Sequence, residues 1–367
     1  MKVPYSYLPQ QFADPAPILE EIAEVIKVGD FTLGPRVEKF ENLFSDFIGC
    51  KHAIGVGSGT DALFLSLKAL GIGAGDEVIT TANTFVATAG AIETAGARIR
   101  FVDCADNYVM DVSKLEAAIT ENTKCIMPVH YSGQPVDMDP LLKIAQKHNL
   151  KVVEDACCAI DAEVGGKRCG TIGDTGGFSL HPLKNLNIWG DGGVITTNNE
   201  EIRDKLRLLR NHGMVNRDEY AFYAYNSRLD TVQSIVGCHL IKDVKWITDM
   251  RIKFAESFDS AFSQLSDFIK IPPRPANERR VYHMYMLLVE RRDELHSFLL
   301  EQGIDAKVHY PIPLHLQQAS EGLGYKMGDF PVAEKQAKNI ISFPVHQHLI
   351  DEQVQYTIDK VKEFYKA

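Results

Sequence analysis

From about residue 50 the chain alternates short apolar runs with longer amphipathic ones. "HAIGVG" (52–57), "EVITT" (77–81), "RIRFVD" (98–103), "CIMPV" (125–129), "KVVED" (151–155), "GFSL" (177–180) and "GVITT" (193–197) are brief and largely apolar. That is the pattern of strands buried on both faces. Between them "TDALFLSLKAL" (60–70), "TFVATAGAIETAG" (84–96), "SKLEAAI" (113–119) and "PLLKIAQKH" (140–148) predict helices, and "EEIRDKLRLLRNHG" (200–213) follows the last strand. Strands separated by helix-length segments require crossovers, which predicts an α/β fold with a mostly parallel sheet sandwiched by helices. Beyond this the rhythm loosens. A long helix near 241–265 leads to "VYHMYMLLV" (281–289), "RRDELHSFLLEQG" (291–303) and "DAKVHY" (305–310), which suggest a small α+β unit. The expected division is a large domain with an N-terminal arm over 1–245 and a small C-terminal domain over 246–367.

Composition narrows the class. A chain of 367 residues is too long for one ordinary core, and 45% apolar with 24% charged residues is usual for a soluble globular protein. The net charge of −10, with no basic stripe, argues against a nucleic-acid surface. Seven cysteines without metal-finger spacing, two of them adjacent (Cys157, Cys158), fit a reduced, cytoplasmic protein. The N-terminal "MKVPYSYLPQQFADPAP" lacks the apolar core of a signal peptide, and no apolar run is long enough to span a membrane.

Three features carry candidate chemistry. "GVGSGTDAL" (55–63) places small residues between a strand and a helix, where free N–H groups can hold an anion. Thr60 stands where a dinucleotide fingerprint needs its last glycine, and "EVITT" ends without the acidic residue that ribose recognition requires. A single phosphate at Gly59 and Thr60 fits better than NAD; the alternative is an ordinary strand-to-helix turn. "KVVEDACCAI" brings Glu154 and Asp155 to a strand end, the edge at which open α/β sheets gather ligands, although an aspartate there is also a natural helix cap. "SLHPLKNLNIWGDGG" (179–193) sets Lys184, its only lysine or arginine, in apolar company. A phosphate turn, a carboxylate and an amine together match pyridoxal phosphate: an anchored phosphate, a protonated ring nitrogen and an aldehyde that condenses with lysine. Apolar neighbours are expected to lower the Lys184 pKa toward the neutral amine. Phe85 is placed to lie against the ring, the alternative being core packing. His181 is open to either role, and Trp189 is expected to pack.

These stretches resemble the DegT/DnrJ/EryC1/StrS sugar aminotransferases, which are fold-type I pyridoxal-phosphate enzymes. The matching segments run nearly end to end: "FTLGPRVEKFE" (31–41), "GSGTDAL" (57–63), "GDEVITTANTFVAT" (75–88), "PVHYSGQPVDMD" (128–139), "VVEDA" (152–156), "FSLHPLKNLNIWGDGG" (178–193), "NSRLDTVQ" (226–233) and "VHYPIPLH" (308–315). The resemblance implies that Gly59, Thr60 and Ser179 bind the cofactor phosphate, Phe85 stacks on its ring, Asp155 pairs with the ring nitrogen and Lys184 forms the Schiff base. It further implies that Asn226 reaches the cofactor of a neighbouring subunit, making a homodimer with shared sites. His309 and Tyr310 fall in a segment that lines the substrate side, or form only a strand and turn. The implied reaction moves an amino group from L-glutamate to a keto sugar, often nucleotide-linked, through the pyridoxamine form.

Two positions qualify this. The family often has "EDAAQ", whose glutamine contacts the cofactor's 3-hydroxyl; here the sequence is "EDACC", so Cys158 occupies that place and offers only a weak donor. Relatives that remove a sugar hydroxyl carry histidine instead of lysine, so Lys184 favours amino transfer over a dehydratase. A non-enzymatic, cofactor-binding regulator would keep the same residues, and an NAD-dependent oxidoreductase is the remaining rival.

Overall fold

The computed structural model describes residues 1–366. Seven strands, β1 (His52–Val56), β2 (Glu77–Thr81), β3 (Arg98–Val102), β4 (Thr123–Ile126), β5 (Lys151–Asp155), β6 (Thr175–Ser179) and β7 (Gly193–Thr197), form one sheet in the order β1-β7-β6-β5-β4-β2-β3. All neighbours are parallel except β7, which runs antiparallel to both β1 and β6. Successive strand residues enter opposite cores: Ala53, Ile79, Ile126, Val152 and Val194 join one, and Ile54, Val78, Cys125, Val153 and Ile195 the other. Because both faces are covered, the strands read as continuous apolar runs instead of alternating ones. Helices α1 (Ala16–Val28) and α2 (Pro35–Ile48) lie over the first core, where Phe44 meets Phe178 edge-on. Helices α3 (Gly59–Ala69) and α4 (Val86–Thr94) cover the second.

The expected helix over 113–119 is instead two single turns of tighter helix, Val112–Lys114 and Glu116–Ala118. Seven residues cannot repay the cost of nucleating an α-helix without a packed face, and only Leu115 among them is fully buried. In "VYHMYMLLV" the strand begins only at Tyr285, since Tyr282 adopts a positive φ of 45° that breaks the extended run.

The C-terminal part builds a three-stranded antiparallel sheet from β8 (Ile269–Lys270), β9 (Tyr285–Val289) and β10 (Ile340–Phe343). Helix α5 (Val244–Phe262) spans the position where the sequence reading divides the chain. Its Val244 and Ile247 pack into the large core, while Phe254, Phe258 and Phe262, four residues apart, pack into the small one. The N-terminal arm crosses between the two: Val3 N–H donates to Gly303 O (2.9 Å), and the Tyr7 hydroxyl donates to Lys184 O (3.0 Å). No helix among the described residues is long and apolar enough to cross a membrane.

Candidate active site

The carboxyl ends of the parallel strands, the N-terminus of α3, the arm and the small unit enclose a cavity of about 490 Å³. Glycine and a cap determine one wall. Ser58 Oγ accepts from Asp61 N–H (3.0 Å), so α3 begins at Gly59 with the N–H groups of Gly59 and Thr60 outside the intrahelical ladder. A Cβ on Gly59 would lie 2.6 Å from Ser179 Cβ; only glycine lets the helix start so near the end of β6. Ser179, Gly59 and Thr60 therefore converge, an arrangement suited to an anion.

Asp155, at the end of β5, is 5% exposed. Thr88 on α4 donates to its Oδ2 (2.7 Å) and the Cys157 N–H to its Oδ1 (3.1 Å), which fixes the carboxylate with its plane defined. Glu154, one residue earlier, faces the other way and takes no part in the cavity.

Lys184 sits on a pinned loop. Leu186 and Ile188 are fully buried, the Asn185 amide donates to Val281 O (3.0 Å), and the Lys184 N–H donates to His181 O (2.8 Å). Its Nζ donates to Cys158 Sγ at 3.1 Å. Burial pulls the amine's pKa down, but the field of Cys158, Cys157 and Asp155 more than offsets it, and the net direction is upward. The sequence-based expectation of a lowered value is thus reversed in the protein chain alone: the apolar neighbours are real, but the groups within reach are those that stabilise an ammonium ion.

The glycines after Lys184 admit the protein's own chain. A Cβ on Gly193 would strike Ser58 O at 2.2 Å, and one on Gly192 would strike Ile188 at 2.4 Å. They bring β7 against the start of α3. Trp189 packs edge-on against Phe12, and His181 lines the cavity.

Phe85 caps α4 in an extended conformation and is 52% exposed, which removes the core-packing alternative; its ring centroid lies 5.9 Å from that of Tyr310. His309 and Tyr310 line the same cavity, and His309 Nδ1 pairs with Ser342 Oγ (2.9 Å). Burial, with smaller contributions from Lys184 and Lys307, lowers the His309 pKa to about 4. Between its ordinary value of 6.5 and about 4, the unfolded chain binds a proton that the folded one refuses. The thermal midpoint is therefore expected to fall as pH drops through that window, and His309→Gln should flatten the decline in pH-scanned melting curves.

Asn226 is exposed, bridged to Asn211, and absent from the cavity lining. All the other sequence-predicted residues, Cys158 included, meet in one place. Sequence reasoning missed Tyr5, Tyr7, Tyr131, Arg251 and His283, which complete the wall. His283 offered a signal, a lone imidazole within the apolar run "VYHMYM"; the arm tyrosines offered none.

The model of the DegT/DnrJ/EryC1/StrS aminotransferase family matches residues 14–362. The chain belongs to this family. A protein of Geobacillus stearothermophilus named "Pleiotropic regulatory protein" is 42% identical over 100% of this chain and 99% of its own length. The dTDP-3-amino-3,4,6-trideoxy-alpha-D-glucose transaminase of Streptomyces venezuelae is 38% identical, covering 94% of this chain and 90% of its own. Among solved structures, S. venezuelae DesV in complex with a ketimine intermediate superposes with a TM-score of 0.97 at 36% identity, over 100% of this chain and 99% of that one. This aminotransferase thus has the α/β architecture expected from its sequence, carried at full length.

Proposed function

We propose that this aminotransferase is a pyridoxal-phosphate enzyme that passes the amino group of L-glutamate to a keto sugar, one linked to a nucleotide. The observation that carries the reading is the convergence of Lys184 Nζ, the Asp155 carboxylate and the N-terminus of α3 on one cavity. Those three groups fit the cofactor's aldehyde, ring nitrogen and phosphate. When bound, the cofactor supplies an electron sink for the carbanion formed at the donor's Cα. Gly59, Thr60 and Ser179 would hold its phosphate, and Phe85 would cover its ring. Asp155, kept in place by Thr88, would keep the ring nitrogen protonated. Lys184 would bind the aldehyde carbon and, once displaced, take the proton from the Cα of the amino donor. Names of relatives support the substrate class, including a UDP-N-acetyl-3-dehydro-alpha-D-glucosamine 3-aminotransferase of Acidithiobacillus ferrooxidans at 38% identity. A structure with a TM-score of 0.93 is described with bound cofactor PMP.

The test is to convert purified protein to the pyridoxamine form with glutamate, then add dTDP- and UDP-linked keto sugars one at a time. Return of the yellow absorbance with an amino sugar as product is expected. Bleaching by glutamate with no keto sugar accepted would support a regulator; failure to bleach would remove glutamate as donor.

The homodimer also belongs to this reading. Asn226 lies outside the cavity, beside the exposed aromatics Tyr220, Phe222, Tyr223 and Tyr225, which suit a subunit contact. If Asn226 serves the partner's cofactor, co-expressing Lys184→Ala with Asn226→Ala chains should rebuild one intact site per mixed dimer. About a quarter of wild-type activity is expected from random pairing, measured against each impaired parent. Activity no higher than the mean of the parents would place Asn226 in its own subunit's function alone.

A further inference from the structure

Lys184 Nζ and Cys158 Sγ are 3.1 Å apart, inside a cavity open to small solutes, and both side chains are partly exposed there. Among the described residues this is the one hydrogen bond between a cysteine sulfur and a lysine amine. Cys104, Cys125 and Cys169 are fully buried. Cys50 and Cys238 are partly buried thiols whose pKa burial lifts to about 11. Cys157, the immediate neighbour, directs its thiol at Gly59 O (3.8 Å) and makes no hydrogen bond to the amine. The chain therefore holds one sulfur within bonding approach of the one amine on which the proposed chemistry depends.

We infer that Cys158 and Lys184 form an oxidant-driven, reversible sulfur–nitrogen crosslink that withdraws the lysine from cofactor binding. Hydrogen peroxide oxidises the Cys158 thiol to a sulfenic acid; sulfur loses two electrons and one water is released. Lys184 first gives a proton to solvent, a step its neighbours disfavour because they stabilise the ammonium ion, and the lone pair of the resulting amine then attacks sulfur. An N–S bond forms, and the hydroxyl leaves with an amine proton as a second water. Reduction by two equivalents of thiol restores both side chains and leaves a disulfide in the reductant. Geometry favours this over further oxidation, because the nucleophile already touches the sulfur and its loop is held by buried Leu186 and Ile188. Bound cofactor would compete directly, since it engages the same nitrogen. The pair would then sense oxidant chiefly in chains that have lost or not yet acquired cofactor.

The effect on cofactor uptake rests on the reading of Lys184 given above; the crosslink itself does not. The experiment treats the full chain, stripped of cofactor or loaded with it, with hydrogen peroxide and follows intact mass and digested peptides. A loss of two hydrogens is expected in the stripped chain, with the Cys158 peptide joined to the Lys184 peptide and both freed by dithiothreitol. Loaded protein should form much less of it. Cys157→Ser should crosslink as the native chain does, whereas Cys158→Ser should not, and peroxide should leave that variant's own uptake of pyridoxal phosphate, read as absorbance, at the level it has before treatment. A Cys157–Cys158 disulfide also loses two hydrogens, and finding that bond instead would overturn the proposal. So would addition of oxygen to Cys158 with Lys184 left free. If the crosslink forms but Lys184→Ala still binds the cofactor covalently, the sulfur–nitrogen site stands and the reading of Lys184 as the cofactor lysine falls.

Discussion

Replacing Lys184 by alanine is expected to lower turnover by at least about 10³-fold, within the range for loss of a positioned proton-transfer group, with the covalent anchor lost as well. The fold should survive. The side chain's one hydrogen bond goes to Cys158, and the contacts that hold the loop are made by backbone atoms or by Asn185, Leu186 and Ile188. Removing a partly exposed amine that makes a single side-chain hydrogen bond should shift stability by no more than about 1 kcal/mol. Lys184→Arg is the informative companion. It keeps a cation in the cavity but cannot condense with an aldehyde, so it should be as inactive as alanine. Single-turnover assays with glutamate, run beside thermal melts, separate the two quantities. Wild-type turnover in the alanine variant would refute the assignment, and activity retained by arginine alone would reduce the lysine to a source of charge.

The second large effect falls on the neighbouring carboxylate. Glu154 is fully buried and accepts four hydrogen bonds: from the N–H groups of Gly170 (2.8 Å), Ile172 (2.6 Å) and Gly173 (2.7 Å), and from His130 Nε2 (2.9 Å). His130 in turn accepts the Val136 N–H at Nδ1 (3.0 Å), which leaves Nε2 to donate to Glu154. Glu154→Ala would strand four buried donors, each costing about 1–3 kcal/mol. A destabilisation of at least about 4 kcal/mol is expected, seen as a collapse of the thermal midpoint or as insoluble protein. Glu154→Gln keeps one acceptor oxygen but turns an NH₂ group toward donors, and should fall between the two. An alanine variant melting within a few degrees of wild type would show that the segment 170–173 rearranges to satisfy itself.

Glu154 and Asp155 illustrate how far the sequence could be read. Their position at a strand end was legible, because "KVVED" is a short buried run followed by small residues. Their division of labour was not: it follows from the side-chain alternation of β5, which sends Glu154 to a structural loop and Asp155 to the cavity. The helix expected at 113–119 failed for a similar reason, since composition favoured a helix and the packing surroundings did not supply a face to bury. The expected direction of the Lys184 pKa failed because neighbours in sequence are apolar, whereas neighbours in space include two thiols and a carboxylate. The arm residues Tyr5 and Tyr7 were invisible as site residues; nothing local marks a tyrosine that will close a cavity built about 180 positions later.

By itself the sequence determined the strand and helix alternation and put forward the turn at Gly59 and Thr60, the Lys184 amine and the Asp155 carboxylate as candidate chemistry, because each depends on local periodicity or on one residue's chemistry. The tertiary structure decided which of these meet, which way each carboxylate points, and that Lys184 rests against Cys158. Those outcomes depend on strand order and on side chains distant in sequence packing against one another, and no local pattern encodes them.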